Sequence, residues 1–151
     1  MEPGNEKLAS LLQDCGFDSL RGAIHLLGER RDMPRLTAAL DIAVSASSYG
    51  EALSLAVAEA MASAVPCIVT DVGDNGLLVG KTGIVVAPND LEALTEGCRA
   101  LICLDRAGRQ ALGTMAREKI LKNYALPAVV RRYEELYSSD SPDSNSSLRR
   151  S

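Results

Sequence analysis

The chain has no basic run: its 151 residues carry 16 Lys and Arg against 20 Asp and Glu, a formal net charge of −4. Nucleic acid is bound mainly by clustered cations that neutralise phosphates, so this balance excludes nucleic acid as the main partner. No apolar stretch is long enough to span a bilayer, and no signal-peptide pattern is present. The expectation is a cytoplasmic protein whose contact with membranes, if any, is peripheral. The four cysteines, Cys15, Cys67, Cys98 and Cys103, lack both the paired spacing of a zinc site and a disulfide framework. Three of them stand in apolar runs and read as buried free thiols of a reducing compartment. No cluster of His, Cys and Asp has metal-ligand spacing, so no metal site is expected. The single histidine, His25, lies in an apolar segment, the setting of a hydrogen-bonded core residue rather than of a catalytic base. Gly73-Asp74-Asn75-Gly76 lacks the Gly-x-Gly-x-x-Gly spacing of a dinucleotide site, which disfavours an NAD-dependent enzyme. It reads as a turn.

What the chain does have is an unusual stretch from Ser45 to Pro66. From Ala52 to Val65 nearly every position is Ala, Leu, Val or Met, which predicts a helix without a polar stripe, buried all round. Glu59 lies in the middle of it. A buried carboxylate is costly unless a partner hydrogen-bonds to it or neutralises it. That partner is either a nearby Arg or Lys or a pair of ligand hydroxyls. Before the helix, Ser47-Ser48-Tyr49-Gly50-Glu51 forms a loop of small and polar residues. The unpaired N–H groups and the positive dipole end of the first turn would there face a cleft, an arrangement that suits a phosphate.

The remaining elements alternate. A helix is predicted over Glu6–Cys15, a strand over Gly22–Leu27, a helix from Pro34 to Leu40 and a strand over Asp41–Ser45. After the central helix come a strand over Pro66–Thr70, a glycine-rich loop through Gly73, Gly76, Gly80 and Gly83, and a strand over Ile84–Ala87. Asp90 then caps a helix carrying Leu91, Leu94, Leu101 and Ile102. Helices fill Arg106–Asn123 and Pro127–Tyr137, and Ser138–Ser151, rich in Ser, Asp and Asn, reads as disordered. Strands alternating with helices imply an α/β fold with a parallel sheet wrapped on both faces.

Ser47, Glu51 and Glu59-Ala60-Met61-Ala62-Ser63-Ala64-Val65-Pro66, followed by the strand Cys67–Thr70, form a pattern that extends on both sides. Upstream stand His25-Leu26-Leu27-Gly28-Glu29-Arg30-Arg31-Asp32 and Leu40-Asp41. Downstream stand Thr70-Asp71-Val72-Gly73-Asp74 and Thr82-Gly83-Ile84-Val85-Val86. From Lys7 to Tyr137 the chain resembles the C-terminal, nucleotide-sugar-binding domain of retaining GT-B glycosyltransferases of family 4, also called group 1. The resemblance implies a Rossmann-like sheet and a nucleotide-diphosphate sugar as donor substrate, with no further cofactor. It implies that Glu59 accepts hydrogen bonds from the ribose 2′ and 3′ hydroxyls and that Glu51, in the catalytic position, contacts the donor sugar. Backbone N–H groups of Ala52, Leu53, Ser54 and Leu55 would hold the diphosphate, and the backbone around Gly28, Glu29 and Arg30 would read the base.

Three departures qualify that picture. Where the family usually has Gly-Phe-Pro after the first glutamate, this chain has Ala52-Leu53-Ser54, and Ala64 stands where glycine is common. The family's domain opens with a strand, a helix and a second strand that have no counterpart before Lys7, and the Arg and Lys that neutralise the diphosphate belong to that segment. Arg30 and Lys81 are the candidate substitutes. The expectation is therefore a donor-binding part that is inactive alone, completed by an acceptor-binding N-terminal domain in the same or another chain, or by a second copy. The alternative is a non-catalytic nucleotide-binding or assembly subunit.

Overall fold

A computed structural model of the chain describes residues 22–25 and 27–139, with Ser10 before them. The chain divides into two compact units, Met1–Met33 and Pro34–Ser151. The helix expected over Glu6–Cys15 lies outside the described residues, as does the tail from residue 140 onward.

The larger unit is a three-stranded parallel sheet in the order β1-β2-β3, with β1 at Ala43–Ser45, β2 at Cys67–Thr70 and β3 at Ile84–Val86. Val44 pairs with Ile68, and Ile68 with Ile84. Parallel neighbours need a crossover, and helices supply it: α1 (Met33–Ala38) leads into β1, α2 (Leu55–Ala62) joins β1 to β2, and α3 (Asn75–Val79) with a 3₁₀ turn (Gly80–Thr82) joins β2 to β3. Three further helices follow, α4 (Leu91–Cys103), α5 (Arg106–Asn123) and α6 (Leu126–Ser139).

All four residues of β2 are buried, as expected of a parallel strand covered on both faces. Alternation sorts them. Cys67 and Val69 join Val57, Ala60 and Met61 of α2, Leu78 and Val79 of α3, and Ala116 and Ile120 of α5 in one core cluster. Ile68 turns the other way, towards α4, where Gly97 lies so close that a Cβ there would stand 2.3 Å from Ile68 Cδ1. The enclosed Cys67 thiol donates to the Val65 carbonyl at 3.4 Å, and burial pushes its pKa up to about 12, which keeps it protonated. Among the described cysteines it alone is buried; Cys98 is half-buried and Cys103 exposed, so the expectation of uniformly buried thiols does not hold.

The start of α4 is capped as its sequence indicates, Asp90 accepting from the Ala93 N–H at 2.8 Å, and the structure adds a second such cap on α5, Asp105 accepting from the Gly108 N–H at 2.7 Å. Other expectations are corrected. The glycine-rich segment is a turn only at Gly73-Asp74 and then becomes α3, because Leu78 and Val79 have a core to enter. The described residues of 22–27 form no strand, and His25 is exposed rather than buried in one. A strand exists only through its ladder, and the described residues supply no partner strand for this segment. Ser138 and Ser139, expected in a disordered tail, are the last turn of α6.

The C-terminal end of α2 shows how tightly the crossover is made. Val65 N–H donates to the Ala60 carbonyl and Ala64 N–H to the Met61 carbonyl, both at 3.0 Å, the paired bonds of a Schellman motif. That motif needs a left-handed residue at its turn, and here it is Ala64, at φ 59°. Alanine pays a steric penalty there that glycine avoids. Ala64→Gly is expected to raise the unfolding free energy by roughly 0.5–1 kcal/mol, read as a higher urea midpoint at unchanged slope; an unchanged or lower midpoint would refute the assignment.

Candidate functional site

In parallel α/β sheets ligands bind outside the carboxyl ends of the strands, where the loops into the following helices converge. Here those loops run from β1 to α2, from β2 to α3 and from β3 to α4. Between the first and third of them lies a cleft of about 200 Å³, lined by Ala46, Ser48, Thr70, Asn89 and Asp90 among others. The Thr70 hydroxyl, buried at the end of β2, donates to the Ser47 carbonyl at 2.6 Å and so holds the first loop against the central strand.

That loop ends at α2. Its N-cap is Ser54, whose side chain makes no capping bond. The first intrahelical bond runs from Ala58 N–H to the Ser54 carbonyl at 3.0 Å, which leaves Leu55, Ala56 and Val57 N–H without an intrahelical acceptor. The positive end of the helix dipole lies at the same point. The sequence placed Ala52 to Leu55 together in the first turn. The helix instead begins at Leu55, so Ala52 and Leu53 form the bend before it, and Ser54 N–H is already engaged, donating to Asn75 Oδ1 at 3.3 Å.

The helix is not buried all round. Val57, Ala60 and Met61 form its one buried stripe, while Leu55, Ala56 and Glu59 are exposed. Alanine explains the error: Ala56, Ala58 and Ala62 count as apolar in composition, but a methyl group gains little from burial and tolerates solvent. Glu59 therefore bears no desolvation cost, and the burial argument for a partner falls. The Arg or Lys alternative falls with it, since Glu59 forms no salt bridge among the described residues. Glu59 is an exposed carboxylate one turn into a helix whose first N–H groups are open.

Glu51 is different. It is half-buried, and its Oε2 is enclosed without a hydrogen-bond partner. The other side-chain atom in that condition among the described residues is Nδ2 of Asn75, a residue with 0% exposure. An unsatisfied buried group of this kind costs about 1–3 kcal/mol. Both belong to one pair of touching loops, joined where Asp74 N–H donates to the Ala52 carbonyl at 2.7 Å. Gly73 makes the contact feasible: it has φ +57°, and a Cβ there would lie 2.2 Å from the Glu51 carbonyl oxygen. Sequence reasoning took Asn75 only as a turn residue; its glycine neighbours hid the fact that its side chain is enclosed.

Gly28, Glu29 and Arg30 belong to the smaller unit and are exposed. Gly28 has φ +67°. The Arg30 guanidinium is engaged with Asp32 in a bidentate pair, both contacts 2.8 Å, which raises the pKa of Arg30 and lowers that of Asp32, chiefly through the hydrogen bonds. Lys81, the other candidate cation, lies in the turn before β3, at the amino end of the sheet and so opposite the α2 N-terminus. A further cleft among the described residues, about 270 Å³, is also at the amino end, lined by Asp41, Pro66, Arg106 and Arg109 among others. Arg109 is occupied there, donating to the Ile102 and Leu104 carbonyls at the end of α4.

A family model described as "Glycosyl transferases group 1" matches residues 3–103, well over half of the chain. The chain belongs to the group 1 glycosyltransferases. Its relatives include an exopolysaccharide phosphotransferase of Streptomyces coelicolor, 30% identical over 89% of this chain and 14% of that protein. Another is the lipopolysaccharide core biosynthesis mannosyltransferase LpsB of Rhizobium meliloti, 32% identical over 80% of this chain and 35% of that one. The chain thus spans about a third or less of the curated relatives it matches. The crystal structure of a glycosyltransferase from Rickettsia africae has the same fold, with TM-score 0.77 and 24% identity over 89% of this chain and 36% of that one. The Rossmann-like sheet and the GT-B relationship expected from the sequence are both borne out. Among the described residues, no helix of this glycosyltransferase chain is long and apolar enough to cross a membrane.

Gly73→Ala tests the loop contact. Both the positive φ and the overlap with the Glu51 carbonyl oppose a Cβ, and a loss of roughly 2 kcal/mol or more in unfolding free energy is expected. Gly22→Ala, where a Cβ meets nothing within 4 Å, serves as control and should be neutral. Equal behaviour of the two variants in urea unfolding would refute the contact.

Proposed function

We propose that this chain is the donor-binding part of a retaining glycosyltransferase, which in the complete enzyme moves a sugar from a nucleotide-diphosphate donor to an acceptor. The observation that carries this is the uncapped N-terminus of α2 at the carboxyl edge of the sheet, with Glu51 just before it and Glu59 one turn inside it. Open N–H groups and the helix dipole favour the diphosphate. Leu55, Ala56 and Val57 supply those groups, with Ala52 and Leu53 in the bend before them, while Ser54 N–H is committed to Asn75. Glu59, exposed and unpaired among the described residues, has two acceptor oxygens for a ribose diol. Glu51 has one unpaired enclosed oxygen for a sugar hydroxyl. For Gly28, Glu29 and Arg30, in the smaller unit, contact with the base rests on the family resemblance alone.

No cation other than the Asp32-bound Arg30 and the distant Lys81 was a candidate to neutralise the leaving diphosphate, and loss of such help typically raises a barrier by a few kcal/mol. Turnover therefore needs the Arg and Lys of the segment that opens the family's donor domain, and with it an acceptor-binding N-terminal domain in the same or another chain. A second reading is a non-catalytic nucleotide-binding or assembly subunit that works only with a separate chain carrying the acceptor domain; adding that domain in trans should then restore sugar transfer, and failure to restore it would count against this reading.

Thermal unfolding of the full chain with UDP, GDP and ADP, beside Glu59→Ala, tests the donor site. One nucleotide at a hundred times its dissociation constant should stabilise the wild type by roughly 2.7 kcal/mol. The gain should vanish in Glu59→Ala, whose own stability should match the wild type because the side chain is exposed. Absence of any shift, or equal shifts in both proteins, would contradict the assignment.

A further inference from the structure

Oε2 of Glu51 and Nδ2 of Asn75 are the two enclosed side-chain atoms without a hydrogen-bond partner among the described residues, and they are complementary. A carboxylate oxygen only accepts, and an amide nitrogen only donates. They stand on two loops already fastened together, by the Asp74 N–H to Ala52 carbonyl bond at 2.7 Å and by the Ser54 N–H to Asn75 Oδ1 bond at 3.3 Å. The orientation of the Asn75 amide is decided by that second bond, since only the oxygen can accept from an N–H. Nδ2 is then the atom left over. Asn75 itself is fully enclosed, so its free donor has no solvent to turn to. A phosphate oxygen would satisfy Nδ2 but leave Glu51 Oε2 without a donor, whereas the Glu51 carboxylate, on the touching loop, meets the need of both.

Building on the donor-site reading, we infer that Asn75 is the positioning residue of Glu51. Its Oδ1 holds the N-cap of α2, and its Nδ2 donates to Glu51 Oε2 once a bound sugar orients that side chain, so that Glu51 presents its other oxygen to a sugar hydroxyl. Asn75 therefore governs affinity for the sugar moiety and leaves the nucleotide moiety to α2 and Glu59. A site that holds an acceptor in fixed orientation towards a hydroxyl discriminates against donors that lack or invert it.

The test compares, in the full chain by calorimetry, UDP with UDP-glucose, GDP with GDP-mannose and ADP with ADP-glucose. For the pair that binds, the ratio of the two affinities isolates the sugar. Asn75→Asp keeps an oxygen for Ser54 N–H but replaces the Nδ2 donor by an acceptor. At pH 7.5 it should lower the sugar ratio about tenfold or more. At pH 5 a proton shared between the two carboxyl groups restores a donor, and the ratio should recover to that of the wild type at the same pH. The wild type is the reference because the free diphosphate's terminal phosphate also takes up a proton between the two pH values. Asn75→Ser, smaller and uncharged, covers failure of the aspartate variant to fold and should lose the ratio at both pH values. An unchanged ratio in the folded variants, or a loss in Asn75→Asp that does not recover at pH 5, would overturn the positioning role while leaving the nucleotide site standing. A wild type that binds nucleotides with no preference for the sugar form would also overturn it. A wild type that binds none of the six compounds would overturn the donor-site reading and this inference with it.

Discussion

The contact between the loop that enters α2 and the loop that enters α3 is the constraint on which the carboxyl edge of this sheet depends. Gly73 sits where any side chain would strike the Glu51 carbonyl. Because it has none, Asp74 reaches the Ala52 carbonyl and Asn75 reaches Ser54 N–H. Those two bonds set where α2 begins, and the beginning of α2 sets which N–H groups are open. The position of Glu51 follows from the same contact. A site that must present several groups at fixed distances gains from such cross-bracing, since a loose loop would have to be ordered by the ligand at the expense of affinity.

Beneath that edge the sheet provides rigidity. β2 is closed over on both faces, by α2, α3 and α5 through Cys67 and Val69 and by α4 through Ile68. Such a strand cannot shift by one residue without exchanging the two faces. Thr70, the last residue of β2, carries that fixed register into the loop of Ser47 through its hydroxyl. The open end of α2 is thus tied to the most buried part of the molecule through a short chain of bonds.

Much of this was readable in the residues. β2, β3, α4 and α5 lie close to where their patterns put them, because the apolar run of a buried parallel strand and the Asp cap at position 90 are local signals. The burial of Glu59 was misjudged because alanine resembles a core residue in composition and a surface residue in energy. α3 was hidden by its glycines, since helix propensity yields when Leu78 and Val79 have a core to fill. Asn75 was missed for a related reason: local sequence cannot show that a side chain is enclosed by a loop 21 residues away. The described residues of the strand expected at Gly22–Leu27 depart from it on a non-local condition of another kind, the need for a neighbour to pair with.

Under the donor-site proposal these features share a purpose, with the start of α2 as the anion-binding end, Glu51 just before it and Glu59 one turn inside it as acceptors, and Asn75 behind Glu51. The most direct measurement is amide NMR mapping of the ¹⁵N-labelled chain with the nucleoside diphosphate that stabilises it. The account predicts the largest shifts at the N–H groups of Leu55, Ala56 and Val57, with Ala52 and Leu53 also moved. Shifts centred instead on Arg106 and Arg109, at the cleft on the amino end of the sheet, would contradict it.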